Sequence, residues 1–326
     1  MMCRGVLYVW TRQTYVCICY VFCVCLGPFV FYRRKSSFVQ RLSSNLDVNG
    51  LAVCNNRVFV IGIASPTIEV FDAVSYRQLQ TLTVHAMIDP WDIAARPASP
   101  YLYVFEGLYQ VLRIDLNGQV VTRWTLDGSQ CSLSVSRRNS VVITFSDRLD
   151  EFDSVGKILR SIKLGGIICH ASHSLSVDVD NFVVCHGLSS DQCTIFHRLR
   201  LVDSDSRILD RNRDFRGFMY QPLHMAVADH GCVLVADMHN RRVQIFSDNL
   251  SRSIDVISTR REQAWPLRVC YDSPRGNVYI STLNGKVLVY YARTRTSPQC
   301  ECLDVHSGLI PDHLIDMDYD SGTEED

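Results

Sequence analysis

Residues 225–246, MAVADHGCVLVADMHNRRVQIF, decide the fold. Val227, Val233, Val235, Val243 and Ile245 alternate with polar or small neighbours. A period of two predicts three short strands separated by two tight turns, not a helix. Asp229-His230-Gly231 suits the first turn and Asp237-Met238-His239-Asn240 the second, since these residues accept positive φ or bond their own backbone.

The approach to this stretch, GFMYQPLHMAVAD (residues 217–229), is followed by Val235-Ala236-Asp237 and then Asn240-Arg241-Arg242-Val243-Gln244. In these features it resembles an NHL repeat, one blade of a six-bladed β-propeller. The same alternation recurs five more times. Unit one starts at Gly50, with LAVCNNRVFVIG and TIEVFDAV, and unit two at Trp91, with DIAARPASPYLYVFEG. Units three, four and six start at Leu133, Leu175 and Pro266. An antiparallel sheet of about 40 residues cannot bury both faces alone, so such units stack radially.

The expectation is an all-β protein, a six-bladed propeller of four-stranded antiparallel blades over residues 36–298. A hydrophobic segment (1–35) precedes it and a disordered acidic tail (299–326) follows. The sixth unit lacks a fourth strand, whereas residues 38–42, FVQRL, are an orphan strand. Pairing them would close the ring and remove an exposed edge.

Composition narrows the function. Of 326 residues, 47% are apolar, enough for a large core. Residues 301–326 hold nine acids and no Lys or Arg, leaving residues 36–300 with 28 basic against 25 acidic side chains. An excess of +3 does not demand a nucleic acid. Four lysines stand against 29 arginines, a ratio that codon bias would also produce. Fourteen cysteines include no CxxC pair, against a zinc finger or thioredoxin-type centre. Scattered, strand-embedded cysteines fit a reducing compartment, hence the cytosol.

Residues 15–32, YVCICYVFCVCLGPFVFY, are uncharged and just long enough to span a bilayer. They make a poor secretory signal, because no small-x-small cleavage site follows. As a membrane anchor, flanked by Arg33, Arg34 and Lys35, they would place the propeller in the cytosol. The Val/Ile–Cys alternation is equally what a translated GT-dinucleotide repeat would encode.

In the resembled family, the turns between second and third strands share one face with the connections between blades. The resemblance therefore implies a mouth lined by Glu106, Asp147, His186, Asp237 and Thr282 from those turns. Asp89, Trp91, His170, His173, His224 and Trp265 would join them from the connections. These, with Arg242, form a candidate ligand or partner face. The weightier alternative is ordinary turn chemistry, with Asp237 pairing Arg242 and the two tryptophans packing between blades.

Three functions follow as expectations. The first is a non-enzymatic, monomeric scaffold, without cofactor or metal, binding a protein partner on that face. The second is a calcium- or zinc-dependent hydrolase or lyase, using Glu106, Asp147 and Asp237 or the histidines. The third is single-stranded RNA binding, as in tripartite-motif propellers, using Arg137, Arg138, Arg241, Arg242, Arg260 and Arg261. No GxSxG, HExxH, Walker or dinucleotide motif is present. In the tail, Ser321 and Thr323 each precede an acid by three residues, as acidophilic kinases favour, and DSGTEE resembles a phosphodegron.

Overall fold

The computed structural model describes residues 37–292, apart from 97–98, 108, 129, 137, 146, 165–170, 177–180, 187–197, 204, 206, 208, 210–218, 229–230, 248–249 and 251–252. The strands are β1 (Ser37–Leu42), β2 (Val48–Cys54), β3 (Arg57–Gly62), β4 (Thr67–Asp72), β5 (Gln78–Thr83), β6 (Pro90–Ala95), β7 (Tyr101–Glu106) and β8 (Gln110–Asp115). They continue as β9 (Val120–Thr125), β10 (Gln130–Val135), β11 (Val141–Phe145), β12 (Arg148–Phe152), β13 (Ile158–Lys163), β14 (Ala171–Ser176), β15 (Asn181–His186) and β16 (Arg198–Asp203). The last are β17 (Pro222–Val227), β18 (Val233–Asp237), β19 (Arg242–Phe246), β20 (Ser253–Ser258), β21 (Pro266–Asp272), β22 (Asn277–Thr282) and β23 (Val287–Tyr291).

These form antiparallel sheets in the orders β2-β3-β4-β5, β6-β7-β8-β9, β10-β11-β12-β13, β14-β15-β16, β17-β18-β19-β20 and β21-β22-β23-β1. First strands β2, β6, β10, β14, β17 and β21 each pack against the next, and β21 packs against β2. The sheets are therefore arranged as a closed propeller.

The strand gradient follows from this geometry. Second strands such as β3, β11 and β22 are covered on both faces, so their residues are buried almost without a break. Fourth strands such as β5 and β13 are exposed along most of their length, each burying a single residue, Leu82 and Ile162. Apolar clusters fill the seams between neighbouring sheets. Phe59, Ile68, Leu102 and Leu112 join the first two sheets, and Tyr103, Phe105, Ile143 and Phe152 the next two. Leu149, Phe182 and Val184 continue the series, followed by Cys185, Met225 and Phe246, then by Ile245, Ile257 and Leu288. Leu42, Val58, Phe71, Tyr279 and Val287 close it between the last sheet and the first.

The orphan strand behaves as expected. β1 runs antiparallel to β23, with Phe38 opposite Tyr290 and Leu42 opposite Val287. Phe38 adds an edge-on ring contact to Tyr290 at 5.5 Å.

The expected six four-stranded blades need correction. Five blades are four-stranded; the remaining sheet, β14–β16, has three strands among the described residues. The turn into a fourth strand does form, with Asp203 N–H donating to the Arg207 carbonyl at 3.0 Å. No fourth-strand ladder follows it among the described residues. The apolar run 15–32 and the acidic tail lie outside the described residues, so the structure does not bear on the fold expected of them. No helix among the described residues is long and apolar enough to cross a membrane.

Ring closure makes a differential prediction. Leu42→Ala, at a site only 2% exposed, should cost about 3 kcal/mol in urea unfolding. Phe38→Ala on the same strand, at a half-exposed site, should cost under about 1 kcal/mol.

Candidate functional site

Each first strand begins with the same irregularity. The register shifts between Val48 and Gly50, Pro90 and Asp92, Gln130 and Ser132, Ala171 and His173, Pro222 and His224, and Pro266 and Arg268. A bulge re-aims the residue beside it. Three of the six equivalent residues meet: Arg268 Nε lies 3.3 Å from Asp92 Oδ1, and His224 Nε2 lies 4.0 Å from the same oxygen.

This position also stitches neighbouring sheets. Leu133 N–H donates to Asp92 Oδ2 at 3.1 Å, and Val269 N–H donates to His224 Nδ1 at 3.4 Å, one residue beyond the equivalent position in the next sheet. Gly50 cannot repeat this, because a Cβ there would meet Ile61 Cγ1 at 2.7 Å and Ile93 Cγ2 at 2.9 Å. The Ile93 N–H, which a residue at position 50 would have served, turns instead to Asp92 Oδ1 at 3.1 Å. The missing side chain lets Arg268 reach across β2 to Asp92, where Nη2 also donates to the Trp91 carbonyl at 3.3 Å. Burial pushes the Asp92 carboxyl above the usual carboxylate range, opposed by the Arg268 charge and by the amides of Leu133 and Ile93.

A second set of bonds proves which loops share a face. The turns after second strands donate to the connections between sheets: Ile63 N–H to Asp47 O, Gly107 N–H to Asp89 O, Met238 N–H to Gln221 O and Leu283 N–H to Trp265 O. The implied common face is therefore present. Glu106 and Asp237, however, serve as clamps within it. Glu106 Oε1 accepts the Ile88 and Asp89 amides at 2.7 and 2.9 Å. Asp237 Oδ1 accepts the Tyr220 amide at 2.7 Å, while Oδ2 accepts Arg242 Nε and Asn240 Nδ2, each at 2.8 Å.

The other residues singled out from sequence divide between roles. Asp147 is exposed, 3.6 Å from Arg148 Nη1. The Thr282 hydroxyl bonds Asn284 and the Lys286 carbonyl within its own turn. Trp91 is half exposed, whereas Trp265 lies under the Arg241 guanidinium at 4.3 Å. His173 and His186 sit on β14 and β15, where Ala171 pairs with His186 and His173 with Cys185. Their side chains, and all of His170, fall outside the described residues. Ser321 and Thr323 do too.

Glu106, Asp147 and Asp237 thus stay on their own sheets, and among the described residues no three metal-ligating side chains come together. The paired arginines are split: Arg138 belongs to the β10–β11 turn at the opposite end of the strands, while Arg241, Arg260 and Arg261 belong to the loop-bearing face.

Sequence reasoning passed over Asp92 and Arg268. Their signal was the repeated Pro–x–polar opening of a first strand: Pro90-Trp91-Asp92, Pro222-Leu223-His224 and Pro266-Leu267-Arg268. It also passed over a ring of turn aspartates on the far face. Asp72 accepts Val74 and Ser75 amides, Asp115 those of Asn117 and Gln119, Asp153 those of Val155 and Lys157, and Asp203 those of Asp205 and Arg207.

Solved structures place the chain in a broader setting. The Kuenenia stuttgartiensis hydrazine synthase superposes with a TM-score of 0.53 at 15% identity, covering 77% of this chain and 84% of that one. The β-propeller domain of Myceliophteria thermophila Cps50 (Swd1) gives a TM-score of 0.49 at 11% identity, covering 76% and 83%. At such identities the first comparison speaks to fold alone. No family model matches the sequence, and no curated protein matches it. The NHL assignment is therefore corrected to a β-propeller without a shown family. Its resemblance rests on residues 217–258, whereas the other units share only the strand alternation and turn aspartates that propeller geometry requires.

Two predictions follow from these contacts. Asp92→Ala strands the largely buried Arg268 charge and should cost about 3–5 kcal/mol, whereas Asp92→Leu combined with Arg268→Met should recover most of it in urea unfolding. Backbone amides hold the Asp72 and Asp153 carboxyls below the usual range. Their stabilisation is complete above the unfolded pKa of about 3.9 and is lost as pH falls through the lower folded value. The Asp72→Asn/Asp153→Asn variant should thus lose stability at pH 7 but converge with the wild type near pH 2, as read by denaturation across that range.

Proposed function

We propose that this propeller is a non-enzymatic interaction scaffold that takes a protein partner on its loop-bearing face. One observation carries the reading: large apolar side chains emerge from the loops of that face, where turn chemistry does not require them. Ile88 is 75% exposed, Leu283 61%, Ile63 59% and Tyr109 52%, and Trp91 stands half exposed beside the Asp92–Arg268 pair. Apolar and aromatic groups with a polar surround are the composition of an interface core. The hydrogen bonds that tie each turn to its neighbouring connection hold these side chains on a rigid frame, which lowers the entropy lost on binding.

Of the acids expected to serve a metal, Glu106 and Asp237 are engaged in clamping loops, Asp147 is exposed beside Arg148, and Arg242 is matched to Asp237. These contacts favour the scaffold over the hydrolase and RNA readings. Cytosolic placement belongs to the same proposal: Cys54 is free and buried, and burial pushes its thiol up to about 12. Such a thiol is inert and has no need of an oxidising compartment.

Affinity purification with quantitative mass spectrometry tests the reading. A partner retained by the wild type should fall about tenfold with Ile88→Asp/Tyr109→Asp. It should be unchanged by Val74→Asp/Val155→Asp, which alters exposed residues in turns of the far face. Equal retention by both variants overturns the proposal, as does turnover of a lactone or phosphoester by the purified chain.

A further inference from the structure

One sector of the loop-bearing face is basic and aromatic instead of apolar. The Thr259 N–H donates to the Arg241 carbonyl at 2.9 Å, which brings the β20–β21 connection against the β18–β19 turn. On this frame Arg241 lies over the Trp265 ring at 4.3 Å, and Arg260 and Arg261 follow directly in the connection, both exposed. Across the same turn His239 N–H donates to the Tyr220 carbonyl at 3.1 Å, and the two rings meet at 4.6 Å with a tilt of 39°.

Of the nearby acids, Asp237 takes Arg242, and Glu262 turns inward, its Oε2 buried. Among the described residues, no acid forms an ion pair with Arg241, Arg260 or Arg261. Three guanidinium groups without an ion-pair partner among the described residues, beside the exposed Tyr220 and the partly exposed Trp265, suit an acidic segment that also carries apolar side chains.

The chain contains one. Residues 312–326, DHLIDMDYDSGTEED, hold seven acids and no Lys or Arg, and Asp316-Met317-Asp318-Tyr319-Asp320 alternates acid with apolar or aromatic. The 19 residues 293–311 separate this segment from Ala292, where the described propeller ends. Extended, they span up to about 60 Å. A domain of this size has a radius of gyration of about 18 Å, so the segment can reach any face. Attachment in cis supplies an effective concentration that weak, exposed charge pairs would otherwise lack.

We propose that residues 312–326 dock in cis on the surface formed by Tyr220, Arg241, Arg260, Arg261 and Trp265. Phosphorylation of Ser321 or Thr323 would add about −1.5 to −2 charge each and tighten the contact, which makes the tail a regulated cover for this sector. The inference does not rest on the partner reading: although Leu283 of that reading adjoins Trp265, the variants that test it, at Ile88 and Tyr109, lie on other sheets.

The test uses the full chain with Tyr319 replaced by photo-reactive benzoylphenylalanine. Illumination of the monomer should give intrachain crosslinks to residues 238–241 and 259–265. Their yield should fall about tenfold in Arg260→Glu/Arg261→Glu, and similarly between about 0.1 and 1 M salt, where screening shortens from about 10 to 3 Å. The tail variant Asp316→Asn/Asp318→Asn/Asp320→Asn leaves the propeller untouched and should lose the crosslinks equally. Crosslinks mapping elsewhere, crosslinks only between two chains, or yields unchanged by both the arginine and the tail variants would overturn the proposal.

Discussion

The ladder between β1 and β23 is the contact on which the rest of the ring depends. It joins residues 37–42 to residues 287–291, nearly the full length of the propeller apart in sequence. It turns a row of sheets, each with two faces to bury, into a cycle in which every seam has a partner. The cluster of Leu42, Val58, Phe71, Tyr279 and Val287 exists only because that ladder holds the last sheet beside the first. Long-range pairing of this kind carries a large loop-closure entropy, which the buried side chains of the final seam offset.

Inside the ring the bulged first strands make a second, polar layer of connection. Asp92, one sheet after the gap left by Gly50, and His224, two sheets before it, do equivalent work, each accepting an amide from the following sheet. Arg268 occupies the equivalent place but can only donate, so it crosses to Asp92. A site that resembles catalytic machinery in composition, a carboxylate with a histidine and an arginine, is thus explained by the repeat that contains it. The apolar side chains of the loops have no such structural explanation, and for that reason they carry the functional proposal.

Much of this was legible in the residues. The strand alternation of residues 225–246, the recurrence of units and the orphan strand at residues 38–42 all lead to the propeller and to its mode of closure. Less legible was which polar residues converge. Glu106 and Asp237 drew attention as acids at turns, and they prove to bind their own loops. Asp92 and Arg268 drew none, because their meeting depends on register shifts and on a glycine in the strand between them.

By itself the sequence determined the class of fold, because side-chain alternation has a period of two and turn residues restrict φ, and both are local properties of the chain. Tertiary structure alone decided the grouping of charges and apolar side chains into a central pair network, an apolar sector and a basic sector. Those groupings depend on distances between residues far apart in the chain, as Asp92 is from Arg268, and no local pattern encodes such a distance.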